Sequence, residues 1–160
     1  MNKRSRKTKK KQRKKMITKK RKRGGQISFK VQFNGQIVSG QELNKQITQT
    51  APLVTFIPSP KKLYSLIMWD PDVPDLLQPA KVHWMAINLS GPHDILQHSI
   101  LPYQGPNPPS GTTHRYFFGL FEQTQLIHPT ILDRAHFQII KFTKQHKLTE
   151  ISNVVMKVSS

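Results

Sequence analysis

Three short clusters hold the side chains of this sequence that could bind or transfer a charged group. They are Asp70-Pro71-Asp72-Val73-Pro74, then His83-Trp84, then Gly105-Pro106-Asn107-Pro108-Pro109 running on through Ser110 and Gly111 to His114-Arg115-Tyr116. Histidine and tyrosine donate hydrogen bonds, and histidine turns cationic close to neutral pH. The Gly-Pro loop offers backbone N–H groups at Asn107, Ser110 and Gly111, because its prolines have none. That set of donors suits an anion. Asp70 is an odd neighbour for one, and either orients a histidine or binds an amine.

Plainer readings stand beside this one. Asp-Pro turns commonly do no more than shape a loop. A single histidine is often a buried structural residue, and Trp84 reads as core. The Gly-Pro segment also serves as a simple connection. Asp70, Asp72, His83 and His114 form a conceivable metal set. Hydrolysis would need a nucleophile beside His83 or His114, but Ser99 and Ser110 both lack a GxSxG context. Walker A, HExxH and EF-hand patterns are absent from the sequence. The residues therefore favour a non-enzymatic binding module with no cofactor.

The elements that must position these groups are mostly strands. Ile27, Phe29, Val31 and Phe33 alternate with polar residues. Asn34-Gly35 is a strong hairpin signal, with Ile37-Val38 starting the return strand. Residues 39–52 read as loop, and 53–57 as a strand. Strands are also expected over 63–69, 83–89 and 115–121, the last interior because it is apolar throughout. Strand alternation sets His83 and Trp84 on opposite faces, and His114 and Tyr116 on one face with Arg115 on the other, where it can form a structural ion pair. A helix is expected over 137–146, with Ile139, Ile140 and Phe142 toward a core. A last short strand covers 154–158. Strands bounded by Pro and Gly turns, with little helix, indicate an all-β sandwich.

The charge is confined to one end. Residues 1–25 contain 15 of the 26 Lys and Arg and none of the 8 acids, so the tail supplies most of the net +18. Such a segment cannot bury enough apolar surface to offset chain entropy and is expected to be disordered, with Gly24-Gly25 as hinge to a domain over 26–160. It could contact nucleic acid or anionic membrane without specificity. The Lys9-Lys10-Lys11 and Lys19-Lys20-Arg21-Lys22-Arg23 blocks resemble nuclear-localisation signals. The plainer reading is a solubilising tail. There is no Cys, so disulfides and Cys-based zinc sites are excluded. No apolar run approaches the ~18 residues of a spanning helix, and no apolar stretch completes a secretory signal. A soluble intracellular protein is expected, or one packaged in a particle assembled inside a cell. Basic N-termini of this kind resemble those of large DNA virus proteins, which suggests a virion, host nucleus or cytoplasm.

The ordered motifs resemble the phosphatidylethanolamine-binding protein family, which includes Raf kinase inhibitor proteins and plant flowering-time regulators. The strings are DPDVP at 70–74, HWMAINLSG at 83–91 and GPNPPSGTTHRYFFGLFEQ at 105–123, flanked by FNGQIVSGQEL at 33–43 and FQIIKFTKQHKL at 137–148. The resemblance covers roughly residues 27–158 and is far more specific than a single short pattern. It implies an antiparallel β-sandwich with one large and one smaller sheet and a short helix near the C-terminus. It also implies a small pocket for phosphate-type groups, meaning phospholipid head groups or phosphorylated ligands. By motif the pocket would comprise Asp70, His83, Gly105, Pro106, Pro108, His114 and Tyr116, with Asp72 and Pro74 shaping its wall. A kinase or protease partner is a further implication. Two departures stand out. The 74–83 loop is short, and the sequence stops at Ser160 before the C-terminal helix that closes the pocket in animal members. Both imply a more open site, and animal-type kinase regulation is not assumed.

Overall fold

The computed structural model describes residues 28–73, 80–128 and 133–160. The expectations for the basic tail, its Gly24-Gly25 hinge, Ile27 and Pro74 lie outside these residues.

Two antiparallel sheets form the core. The smaller has strand order β2-β1-β3, with β1 at Lys30–Phe33, β2 at Gln36–Ile37 and β3 at Leu53–Thr55. Asn34 and Gly35 both adopt positive φ, 46° and 82°, the conformation a two-residue hairpin turn requires. The larger has order β6-β5-β4-β7-β8. Its strands are β4 (Leu63–Asp70), β5 (Lys81–Leu89), β6 (Ser99–Leu101), β7 (Thr113–Gln123) and β8 (Thr149–Ser159). The helix α1 spans Ile139–Gln145.

The large sheet is covered on both faces, which is why β4 and β5 read as almost continuous apolar runs. One face packs Leu66, Met68, Trp84, Tyr116 and Phe118 against Val31, Phe33 and Val54 of the small sheet. The other packs Ile67, Val82, Met85 and Phe121 against Phe137 and Phe142.

Several boundaries differ from the sequence reading. The last strand is 11 residues long rather than five. It lies at a sheet edge where only two of its 11 residues are fully buried, so its polar N-terminal half hides the pattern. Strand β6 was not expected, since three residues carry too little periodicity. Ile140 is exposed rather than core-facing: in so short a helix only Phe142 and, partly, Ile139 reach the apolar cluster. At the far end of β4, β5 and β7 from the Asp70 cluster, Gln123 Oε1 accepts from Ser65 Oγ (2.7 Å) and from the Asn88 N–H (2.8 Å).

Candidate functional site

The site sits where β4 ends, β5 begins and β7 begins. Antiparallel pairing sets these three points side by side, with Asp70 opposite Lys81 and Trp69 opposite Phe117.

A β-bulge aims His83. Between β4 and β5 the register passes from Met68↔Trp84 to Trp69↔Val82, leaving His83 as the extra residue. Strict alternation therefore fails here. His83 packs edge-on against Tyr116, ring centroids 5.1 Å apart, on the inter-sheet face that Trp84 also occupies. The expectation that His83 and Trp84 face opposite sides is corrected by this bulge. Bulges commonly re-aim side chains beside functional sites.

The His83 ring is fixed from behind. Its Nδ1 lies 2.8 Å from the Gln104 carbonyl oxygen, and the Gln104 N–H donates back to the His83 carbonyl at 2.8 Å. Burial is the main force holding its pKa below the ordinary histidine value, and Lys81 and Arg134 push the same way. Arg134 forks onto three carbonyls, Val82 (3.2 Å), His83 (3.1 Å) and Pro102 (2.6 Å), tying β5 to the loop that follows β6.

Asp70 is almost fully buried and already engaged. Its Oδ2 accepts from His114 Nδ1 at 2.7 Å, and its Oδ1 from the Asp72 N–H at 2.8 Å. Of the two roles open to it, orienting a histidine is the one this geometry fits, and that histidine is His114. Asp72 turns to Arg115. The guanidinium grips its carboxylate through Nε (2.9 Å) and Nη2 (2.6 Å), and the Arg115 N–H adds a 2.8 Å bond. This pair holds Asp72 below the usual carboxylate range and is the structural ion pair expected of Arg115. With both aspartates so occupied, Asp70, Asp72, His83 and His114 do not converge as a ligand set. No group of three or more potential metal ligands occurs among the described residues.

The Gly-Pro loop is held by close packing. A Cβ on Gly105 would come within 2.9 Å of the Gln49 Cα, and Gln49 Nε2 donates to the Pro106 carbonyl at 2.9 Å. Tyr103 Oη donates to the Thr48 carbonyl at 2.6 Å. Pro106 and Pro108 are buried and Asn107 is exposed. Of the three N–H groups expected to be free, that of Gly111 is not, since it donates to Ser160 Oγ at 2.8 Å. The Asn107 N–H is near the Tyr116 hydroxyl but makes no hydrogen bond to it.

Two polar atoms remain. His83 Nε2 and Tyr116 Oη are buried and have no hydrogen-bond partner among the described residues. Burial, reinforced by the Asp70 carboxylate, pushes the Tyr116 phenol well above its ordinary pKa, so it stays a neutral donor. Ser99, weighed as a nucleophile, is saturated by Trp84 Nε1 (2.9 Å) and the Ile95 carbonyl (2.7 Å). Gln104, Gln49 and Arg134 were not anticipated. They act through backbone carbonyls or loop packing, which leaves no motif to read.

The comparisons with known proteins agree with this architecture. The family model described as phosphatidylethanolamine-binding protein matches residues 17–156. Protein TERMINAL FLOWER 1 of Arabidopsis thaliana is 35% identical over 94 residues, 55% of this chain and 52% of that protein. Protein MOTHER of FT and TFL1 homolog 2 of Oryza sativa subsp. japonica is 33% identical over 105 residues, 61% and 60% of the two. The aligned part of this chain thus spans about half the length of the curated relatives it matches. Among solved structures, a carboxypeptidase Y inhibitor complexed with its cognate proteinase superposes with TM-score 0.70 at 20% identity, covering 84% of each chain. The phosphatidylethanolamine-binding protein from Plasmodium vivax gives 0.64 at 22% identity, covering 83% of this chain and 85% of that one. At these identities the structural likeness speaks to the fold.

Proposed function

The chain belongs to the phosphatidylethanolamine-binding protein family, and we propose that it is a non-catalytic binding module whose pocket takes a phosphate-type anion. The source would be a phospholipid head group or a phosphorylated ligand. The observation that carries this reading is the pair of buried polar atoms, His83 Nε2 and Tyr116 Oη, left without a partner on adjoining rings. Buried polar groups are almost always satisfied, so two orphans side by side support a site that a ligand completes. Asp70 and His114 form the wall beside them, and the Asn107 N–H adds a donor on the Tyr116 side.

Calorimetric titration with phosphoethanolamine and with inorganic phosphate tests the proposal. Saturable binding that weakens in His83→Ala supports it. No binding at about millimolar ligand, where a weak site of about −4 kcal/mol would register, or a His83→Ala variant that binds like the parent, sinks it. A protein partner, kinase or protease, is a further expectation of the family. Direct inhibition assays against purified candidates would answer it.

A second reading rests on the tail. Fifteen Lys and Arg in residues 1–25 would draw the protein to nucleic acid or an anionic membrane, in a virion or a host nucleus. That contact should weaken steeply with salt and disappear when residues 1–25 are deleted. A complex indifferent to salt counts against it.

A further inference from the structure

The tautomer of His83 decides what the pocket can accept. The Gln104 carbonyl can only accept a hydrogen bond, so Nδ1, 2.8 Å away, carries the hydrogen. A neutral ring then turns a lone pair, not an N–H, toward the buried side where Nε2 has no partner. A fully deprotonated anion oxygen arriving there would face that lone pair.

We propose that the site binds its phosphate-type ligand together with one proton, held between His83 Nε2 and a ligand oxygen. The proton comes either with the ligand, as a hydrogen-phosphate monoanion, or from solvent onto the ring as a dianion enters. Both routes give the same count. No covalent bond is made or broken beyond this one N–H or O–H. The inference rests on the anion-pocket reading and specifies the protonation state that reading leaves open.

The groups facing His83 from each element decide when the proton arrives. Lys81 on β5 and Arg134 behind the β5 backbone oppose a charged ring, as does burial. Asp70 on β4 and the Gln104 carbonyl favour it. On β7, Tyr116 supplies a neutral hydroxyl, and His114 stands behind Asp70 and already shares its carboxylate. The balance keeps the empty ring neutral near pH 7, so the proton is taken up on binding rather than before. The Tyr116 hydroxyl donates to a second ligand oxygen, and it needs no proton from solvent.

The test is calorimetry on the full chain, in about 150 mM chloride to screen residues 1–25, from about pH 7.5 down to about pH 5.5. Three probes are used: inorganic phosphate, sulfate, which has no proton to bring in this range, and ethanolamine, which offers an ammonium donor. Repeating each titration in two buffers of different ionisation heat counts the protons exchanged. The expected result is uptake of about one proton per sulfate near pH 7.5, with affinity rising about tenfold per pH unit lowered until the ring is already charged. His83→Gln should bind sulfate more weakly and with no pH dependence. The parent's proton count decides the matter if that variant does not fold. Sulfate binding with no proton uptake and a flat pH profile overturns the inference while leaving the anion pocket standing. Affinity that rises with pH, for ethanolamine in preference to the anions, also overturns it, since that is the sign of a donor ligand on the lone pair. Absence of any binding of phosphate and sulfate overturns the pocket reading and this inference together.

Discussion

Tyr116→Phe deletes a buried hydroxyl for which the protein supplies no hydrogen-bond partner among the described residues. Tyr103→Phe deletes one that donates to the Thr48 carbonyl at 2.6 Å. The same chemical change should therefore have opposite effects on the stability of the unliganded protein. Leaving a buried polar group unpaired costs about 1–3 kcal/mol. Its removal at position 116, taken at the low end of that range, should stabilise by about 1 kcal/mol. At position 103 the bond is lost and the carbonyl of fully buried Thr48 is left short of a donor, so the change should destabilise by about 1–2 kcal/mol. For a domain of this size the melting temperatures should move by about 3–5 °C per kcal/mol, up for Tyr116→Phe and down for Tyr103→Phe. Thermal melts followed by circular dichroism, run in parallel, measure the difference. Phosphate affinity should fall about tenfold in Tyr116→Phe, matching a lost hydrogen bond to a charged group, and stay unchanged in Tyr103→Phe. If both variants lose stability equally, Tyr116 has a structural partner and the case for a ligand-completed hydroxyl collapses.

Gly105→Ala would set its Cβ 2.9 Å from the Gln49 Cα. The Gly-Pro loop must move, costing about 1–3 kcal/mol and weakening phosphate binding in the same calorimetric titration. Asp72→Asn and Arg115→Ala each break a half-exposed bidentate pair, for about 0.5–1 kcal/mol that shrinks in high salt; chemical denaturation at two salt concentrations reads this. Because Arg115 depresses the Asp72 pKa, the contribution is full above the ordinary carboxylate value and disappears as pH falls through the depressed one. His83 is depressed chiefly by burial, so the unfolded chain binds more protons than the folded one just below about pH 6.5. Stability should be full above that pH and decline as pH falls through the window toward the folded value, and pH-dependent melts should show His83→Gln lacking this limb.

The fold was legible wherever a residue pattern reports its own neighbourhood. Alternation up to Phe33 marks a half-buried strand, the continuous apolar run of 115–121 marks one buried on both faces, and Asn34-Gly35 marks its own turn. Edge elements were harder. Strand β6 is too short to show a period, and β8 alternates weakly because only two of its 11 residues are fully buried. The candidate site residues stand out in the sequence by type and motif, but their pairing does not. Asp70 meets His114 across 44 residues, and Asp72 meets Arg115 across 43. The His83 bulge depends on which β4 residue each β5 residue faces, and alternation within β5 alone holds no record of it.

The three carbonyls gripped by Arg134 have a consequence for how the protein behaves in a crowd of its own copies. Strand β6 pairs with β5 only at Met85 and Ala86, so the first residues of β5 would otherwise be a bare strand edge. Such an edge is a template on which another chain can grow. Here the Val82 N–H is taken by the Arg134 carbonyl, the Val82 and His83 carbonyls by the Arg134 side chain, and the His83 carbonyl again by Gln104. Ala80 is bridged to Phe137 on both sides. The stretch that carries His83 can thus keep its irregular, bulged backbone while presenting nothing for a neighbouring chain to pair with.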